Sequence, residues 1–253
     1  MKYDFQRASM LKRIPAWLCD IILLITLAVG CMAGLSHVLN VDSYNSALNE
    51  KYAGYEQEYQ VDFAVTAEQY EQMGEEERDR YDAAAKAMAQ DEELKQLHGT
   101  LVNLTLLMWS LGLLVPFMLL EFAVPLWLKN GQTIGKKVFG VALMRKDGVK
   151  VTPFMMFARA ILGKYTIETM IPVLLAVAAF FGIMGLEGFL LCVVFLLAQV
   201  IIGMVTRDKT ALHDLMACTV AVDLSSQMIF DSVEAMEQYH AELHVDKAFE
   251  EQE

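Results

Sequence analysis

Polar and apolar positions in this chain fall into blocks. Four apolar runs stand out, at 14–39, 101–128, 165–186 and 188–206. Each is about 19 residues or longer, which at 1.5 Å per residue covers roughly 30 Å of hydrocarbon. The pattern predicts four transmembrane helices. Between the first two runs, residues 41–98 are polar, tyrosine-rich and helical in periodicity. There "VTAEQY" has the form of a capping box, with Thr66 capping and Gln69 reaching back. Val65 and Tyr70 have the spacing of a hydrophobic staple. Gly74 is expected to break that helix. "EEERDRYDAAAKAMAQDEELKQL" then reads as a second one ending at Gly99, with acidic early turns and alanine-rich middle turns.

Shorter patterns flank the runs. Residues 4–13, "DFQRASMLKR", are expected to form a short amphipathic helix leading into the first span, with Pro15 near the span's first turn. In the loop 129–164, "VFGVALMRKDGVKV" suggests a hairpin turning at Asp147-Gly148. Thr152-Pro153 then starts "FMMFARAILGK", an amphipathic helix expected to lie in the membrane interface. After the last run, Thr210 is placed to cap a short helix holding His213 and Asp214. The chain divides into 1–40 (N-terminal segment and first span), 41–99 (acidic helical insert), 100–223 (three spans and a basic loop) and 224–253 (acidic tail).

Charge orients this arrangement. The chain is 55% hydrophobic, with a mean hydropathy of +0.35 and a net charge of −12. Its basic residues are nevertheless concentrated. Lys2, Arg7, Lys12 and Arg13 precede the first span against Asp4 alone. Eight lysines and arginines lie within 129–164 against Asp147, and Arg207 and Lys209 follow the fourth span. Short basic loops stay in the cytoplasm, so both termini are expected inside and 41–98 outside. Acids count little in this rule, so the acidic tail does not oppose it. The basic loops suit anionic headgroups, and nothing resembles a nucleic-acid patch.

A cleaved signal peptide is the rival reading of the first run, and "AVGC" at Ala28–Cys31 has some of that form. The run continues to Leu39, however, with Asp20 inside it. Cys19, Cys31, Cys192 and Cys218 form no C-x-x-C pair and read as reduced packing residues.

Ionisable groups inside spans cost roughly 2.5–3.5 kcal/mol each near a helix centre, so each needs a partner or a task. Asp20 lies seven residues after Arg13, Glu121 eight before Lys129, and Gln199 eight before Arg207. All three are thus expected about 10–12 Å below the inner face. Two carboxylates in that layer cannot both stay ionised cheaply, so at least one of Asp20 and Glu121 is expected to have a raised pKa, or the two to share a proton or a cation. Gln199 completes the candidate ion- or proton-binding set. An interhelical hydrogen-bond cluster that only holds the helices together is the competing reading. Arg13 leans out of the membrane, away from Asp20, and is expected to pair with Asp214 or meet a lipid phosphate. Lys136, Lys137 and Arg159 are candidate headgroup contacts.

Other motifs carry less. "GQTIGKK" lacks the spacing and the following Ser or Thr of a phosphate loop. "HAELH" places two histidines at i, i+4 without a third metal ligand. No Ser/His/Asp set, dinucleotide fingerprint or zinc spacing occurs. An enzyme is not expected, and no cofactor or metal is implied.

"RIPAWLCD" together with "HDLMACTVAV" resembles the RDD family of bacterial membrane proteins, named for one arginine and two aspartates. Arg13, Asp20 and Asp214 match those residues. "GQTIGKKVFGVALMRKDG" resembles the family's inner loop, and Arg159 and Glu121 match further positions. The likeness spans 7–39 and 101–222, and the long insert departs from it. It implies a bacterial cytoplasmic membrane, and suggests transport of ions or small ligands.

The expected fold is an all-α membrane protein. It has four transmembrane helices, cytoplasmic termini, interfacial amphipathic helices and an extracytoplasmic helical insert. Two functions stay open. One is a small cation/proton transporter using the carboxylate layer, which with four spans would need a homo-oligomer. The other is a non-transporting adaptor whose 41–98 segment and acidic tail bind a protein partner.

Overall fold

The computed structural model describes residues 5–128, 130–206 and 210–250, the last eight as backbone. Lys2, Asp4, Lys129, Arg207, Lys209 and the side chain of His244 lie outside the described residues. So does the test of the depth count for Glu121 and Gln199 and of the paired-histidine motif.

Four helices among the described residues are long and apolar enough to cross a membrane. They are α1 (Met10–Val38), α5 (Glu92–Trp127), α7 (Pro153–Phe180) and α8 (Gly185–Val205). Between the first two lie α2 (Val41–Tyr59), α3 (Ala67–Gln72) and α4 (Glu75–Met88). The rest are α6 (Ile134–Val138), β1 (Val141–Arg145), α9 (Leu212–Met216), β2 (Thr219–Asp223) and α10 (Val233–Glu250). The fold is therefore helical with one small sheet. Only Gly188 and Cys192 of α8 are buried, and Ile14, Trp17, Leu18, Ile22 and Ile25 of α1 are exposed. An apolar surface of this extent is what lipid covers.

The chain forms two compact units. One is Met32–Trp109. Its core gathers Val41, Leu48, Leu94 and Leu101, with Tyr52, Tyr55 and Met88 packed on them. The capping box is present: Gln69 N donates to Thr66 Oγ1 at 3.3 Å and Thr66 N to Gln69 Oε1 at 2.8 Å. The helix predicted to end at Gly99 instead breaks at 89–91. There Asp91 Oδ1 accepts from the backbone of Glu93 and Leu94 and starts a new helix. That helix runs through Gly99 into the second span.

The other unit holds the remaining described chain. Its sheet pairs β1 with β2 antiparallel, Val141 opposite Asp223 and Arg145 opposite Thr219. Alternation sorts the side chains by face: Val141, Leu143 and Ala221 into one cluster, Ala142, Met144, Val220 and Val222 into another. The predicted hairpin survives only as a tight turn closed by a Met144–Lys150 bridge. Of the amphipathic helix expected at 4–13, only 10–13 are helical, as the first turn of α1, and 5–9 are not. That stretch is extended, with Ala8 N donating to Ala221 O and Asp223 N to Gln6 O, because β2 has a free edge that satisfies its backbone.

The interfacial helix expected at 154–164 is also absent as a separate element. That stretch is continuous with the third span, through wide π-helical turns over Ala158–Met170. A second π segment, Phe117–Ala123, lies between Pro116 and Pro125 in α5. Pro172 ends the first of these. It has no N–H to return to the carbonyl of Glu168, four residues back. Gln199 of α8 donates its side-chain amide to that carbonyl at 3.2 Å.

Candidate functional site

The π segments bring charge inward. Bonding across five residues widens the turn, so side chains four and five apart share a face. Arg159, Lys164 and Glu168 have that spacing in α7, and Glu121 sits in the π segment of α5. Their ion pairs follow. Lys164 Nζ meets Glu121 Oε1 at 2.6 Å, and Arg159 Nη1 lies 3.8 Å from Glu121 Oε2. Arg159 Nε donates to Asp214 Oδ1 at 2.7 Å, and Thr219 Oγ1 donates to the same oxygen at 2.9 Å. The backbone N–H of His213 donates to Glu168 Oε1 at 2.8 Å, and its Nδ1 lies 2.8 Å from Oε2. His213 Nε2 sits 3.0 Å from Arg159 Nη2, so that nitrogen is the acceptor and Nδ1 carries the hydrogen.

Asp20 has a separate seat. Thr133 Oγ1 donates to one carboxylate oxygen at 2.5 Å and Gly135 N to the other at 2.7 Å. A Cβ on residue 135 would stand 2.2 Å from the carbonyl of Ala16, so only glycine lets this loop close on α1. "GQTIGKK" is thus a receptacle for Asp20, with Gln132 and Thr133 buried, rather than an outward basic turn.

These groups surround one cavity of about 290 Å³, lined by Asp20, Lys136, Glu168, His213 and Asp214 and by the flank of α1 from Met10 to Trp17. Burial pushes the Lys136 ammonium down to about 7, with Arg159 and Lys164 adding to the effect. Burial likewise lowers His213, which favours the neutral imidazole. Burial alone would raise Asp214, but Arg159 and His213 outweigh it and hold the carboxyl well below its usual range. Away from the cavity, Lys12 and Ser225 hold Asp223 at about 2.

Several sequence expectations change. Asp20 and Glu121 have separate partners: Asp20 takes Thr133 and Gly135, while Glu121 takes Lys164 on Oε1 and its Oε2 faces Arg159 Nη1 at 3.8 Å without a hydrogen bond. Gln199 serves the Glu168 backbone and does not join them. Asp214 pairs with Arg159, whose π-helical position reaches it. Arg13 lines the same cavity. Arg159 is 2% exposed and cannot be a headgroup contact. Lys136 turns into the cavity, and Lys137 is exposed. Reasoning from sequence gave no role to Lys164, Glu168, Thr133 or Gly135. The five- and four-residue spacing of Arg159, Lys164 and Glu168, just before Pro172, is the signal that marks two of these positions, Lys164 and Glu168.

The fold and site define a helical membrane protein, with four long apolar helices and a paired-charge network around one cavity. It belongs to the RDD family, whose model matches residues 7–218. Compared with the curated proteins and with the solved structures, the chain matches none.

Proposed function

We propose that the protein is a proton-coupled transporter of a small ion in the bacterial cytoplasmic membrane, working as a homo-oligomer and doing no covalent chemistry. The observation that supports this is the cavity where Glu168 and His213 meet beside Lys136. An imidazole bonded to a carboxylate and flanked by an easily deprotonated amine offers a place where a proton can be taken up and released. The cation of the sequence expectation is then the proton, carried on His213 and Glu168 rather than between Asp20 and Glu121. The charges around the site are already paired, so a moving proton changes a nearly balanced network and the cost of burial stays small. The test is proton flux into proteoliposomes holding a pH-sensitive dye. His213→Gln and Glu168→Gln should each abolish flux while the protein elutes and unfolds as a folded oligomer. Flux that survives both substitutions removes the reading.

The adaptor reading draws support from the compact unit Met32–Trp109, which has a core of its own. A segment able to pack by itself can serve as a docking module for a protein partner. Deleting 44–97 separates the two. Transport should survive that deletion, whereas an adaptor would lose function with assembly unharmed.

A further inference from the structure

One cation that lines the cavity is held more loosely than the acids around it. Each acid that lines the cavity is already satisfied by protein. Asp20 takes Thr133 and Gly135, Glu168 takes the backbone and ring of His213, and Asp214 takes Arg159 and Thr219. Lys136 is different. Its ammonium carries three donors, and its hydrogen bond is a long one of 3.4 Å to Thr133 Oγ1. That hydroxyl's own proton is committed to Asp20. Arg159 Nη1 is not such a donor: it faces Glu121 Oε2 at 3.8 Å, and both atoms are buried without a hydrogen bond.

Arg159 and Lys164 are taken up by Asp214 and Glu121, whereas Lys136, which lines the cavity, has the long bond to Thr133. An arriving anion would favour the protonated form of that amine. The mouth has its own chemistry. Met10, Ile14 and Trp17 line it and are about half exposed, so an apolar portion of a ligand can rest there.

We propose that this cavity binds a phosphate-type oxyanion, free or carried on a lipid headgroup, with Lys136 as the donor that grips it. The inference rests on the transport reading only in naming the ion that travels with the proton; as a binding site it stands on the loosely held Lys136 above. In the empty cavity the amine loses its proton near 7, pressed by burial, Arg159 and Lys164 against the attraction of Glu121 and Asp20. Anion affinity should therefore fall as the pH rises from 6 to 9.

The experiment is titration calorimetry of the full chain in a nonionic detergent. The probes are inorganic phosphate and a short-chain phosphatidic acid, with a short-chain phosphatidylcholine as control. At least one phosphate probe should bind the native protein. Binding should weaken at least tenfold in Lys136→Gln and persist in Lys136→Arg, which shows that a cation at that position, and not the fold, is what matters. Binding of phosphate identifies a free oxyanion, and binding of the lipid alone identifies a headgroup. Absence of binding by both probes, or equal affinity in Lys136→Gln, overturns the proposal. Lys136-dependent binding with no proton flux would remove the transport reading and leave this site standing. Flux without such binding would do the reverse.

Discussion

Arg159 and Asp214 are bonded at 2.7 Å across 55 residues of chain, with side chains only 2% and 4% exposed. This pair ties the π-helical third span to the short helix after the fourth. Its desolvation is expensive, and it is repaid only while both partners are present. Asp214→Asn or Arg159→Met should each cost about 3–5 kcal/mol, because each leaves one buried charge uncompensated. The double substitution Arg159→Met with Asp214→Leu should recover part of the loss. Unfolding in detergent titrated with a denaturing surfactant measures all three, and additive losses would contradict a direct pair.

His213 makes stability depend on pH. It faces Glu168, Arg159 and Asp214, with Lys164 nearby, and burial lowers its affinity for a proton below the ordinary imidazole value of 6.5. The unfolded chain therefore takes up a proton at a higher pH than the folded one. The stability contribution is fully present above 6.5 and is lost as the pH falls through the folded value. The thermal midpoint should drop between pH 7 and pH 5, and the drop should shrink in His213→Gln. An unchanged slope in that variant would remove His213 as the titrating group.

Gly135 is predicted to tolerate no side chain. In Gly135→Ala the new methyl meets Ala16 O and Asp20 Oδ1. Overpacking of this kind costs about 1–3 kcal/mol. The loop would be pushed off α1, and the Gly135 N–H would be withdrawn from Asp20. Asp20→Asn should then add little in the Gly135→Ala background, although it is costly alone. A double-mutant cycle on thermal unfolding checks this; full additivity would mean that the glycine and the aspartate act separately.

The spans were legible because lipid selects for composition, and a run of apolar residues shows it without any tertiary information. The Thr66–Gln69 box was legible because its two hydrogen bonds close within three residues. The ion network was not. Thr133 lies 113 residues from Asp20, and Lys164 lies 43 from Glu121. Periodicity arguments also assumed α-helical turns, which point Arg159 and Glu168 in different directions from those the π turns give them. α-Helical turns would leave Arg159 at the surface for that reason. The hairpin reading covers β1 but pairs it with the residues just after the turn; β2, its partner, lies more than 70 residues on, which no local pattern shows. Glu121 is buried as its place inside a span implies, and Asp20 is half-buried; what the sequence conceals is the partners of both.

Gln199 offers a test of why an amide sits in an apolar helix. Its donor serves the Glu168 carbonyl, which Pro172 cannot reach because it has no N–H. Gln199→Leu should cost about 0.6–1.7 kcal/mol, the range for one interhelical hydrogen bond in a membrane protein. Pro172→Ala restores an N–H four residues after Glu168. In that background the carbonyl has a helical partner, and Gln199→Leu should cost almost nothing. The pair of measurements distinguishes a backbone repair from membership of an ion site. If Gln199→Leu instead abolished ion binding or flux at unchanged stability, in both backgrounds, the amide would belong to the cavity chemistry after all.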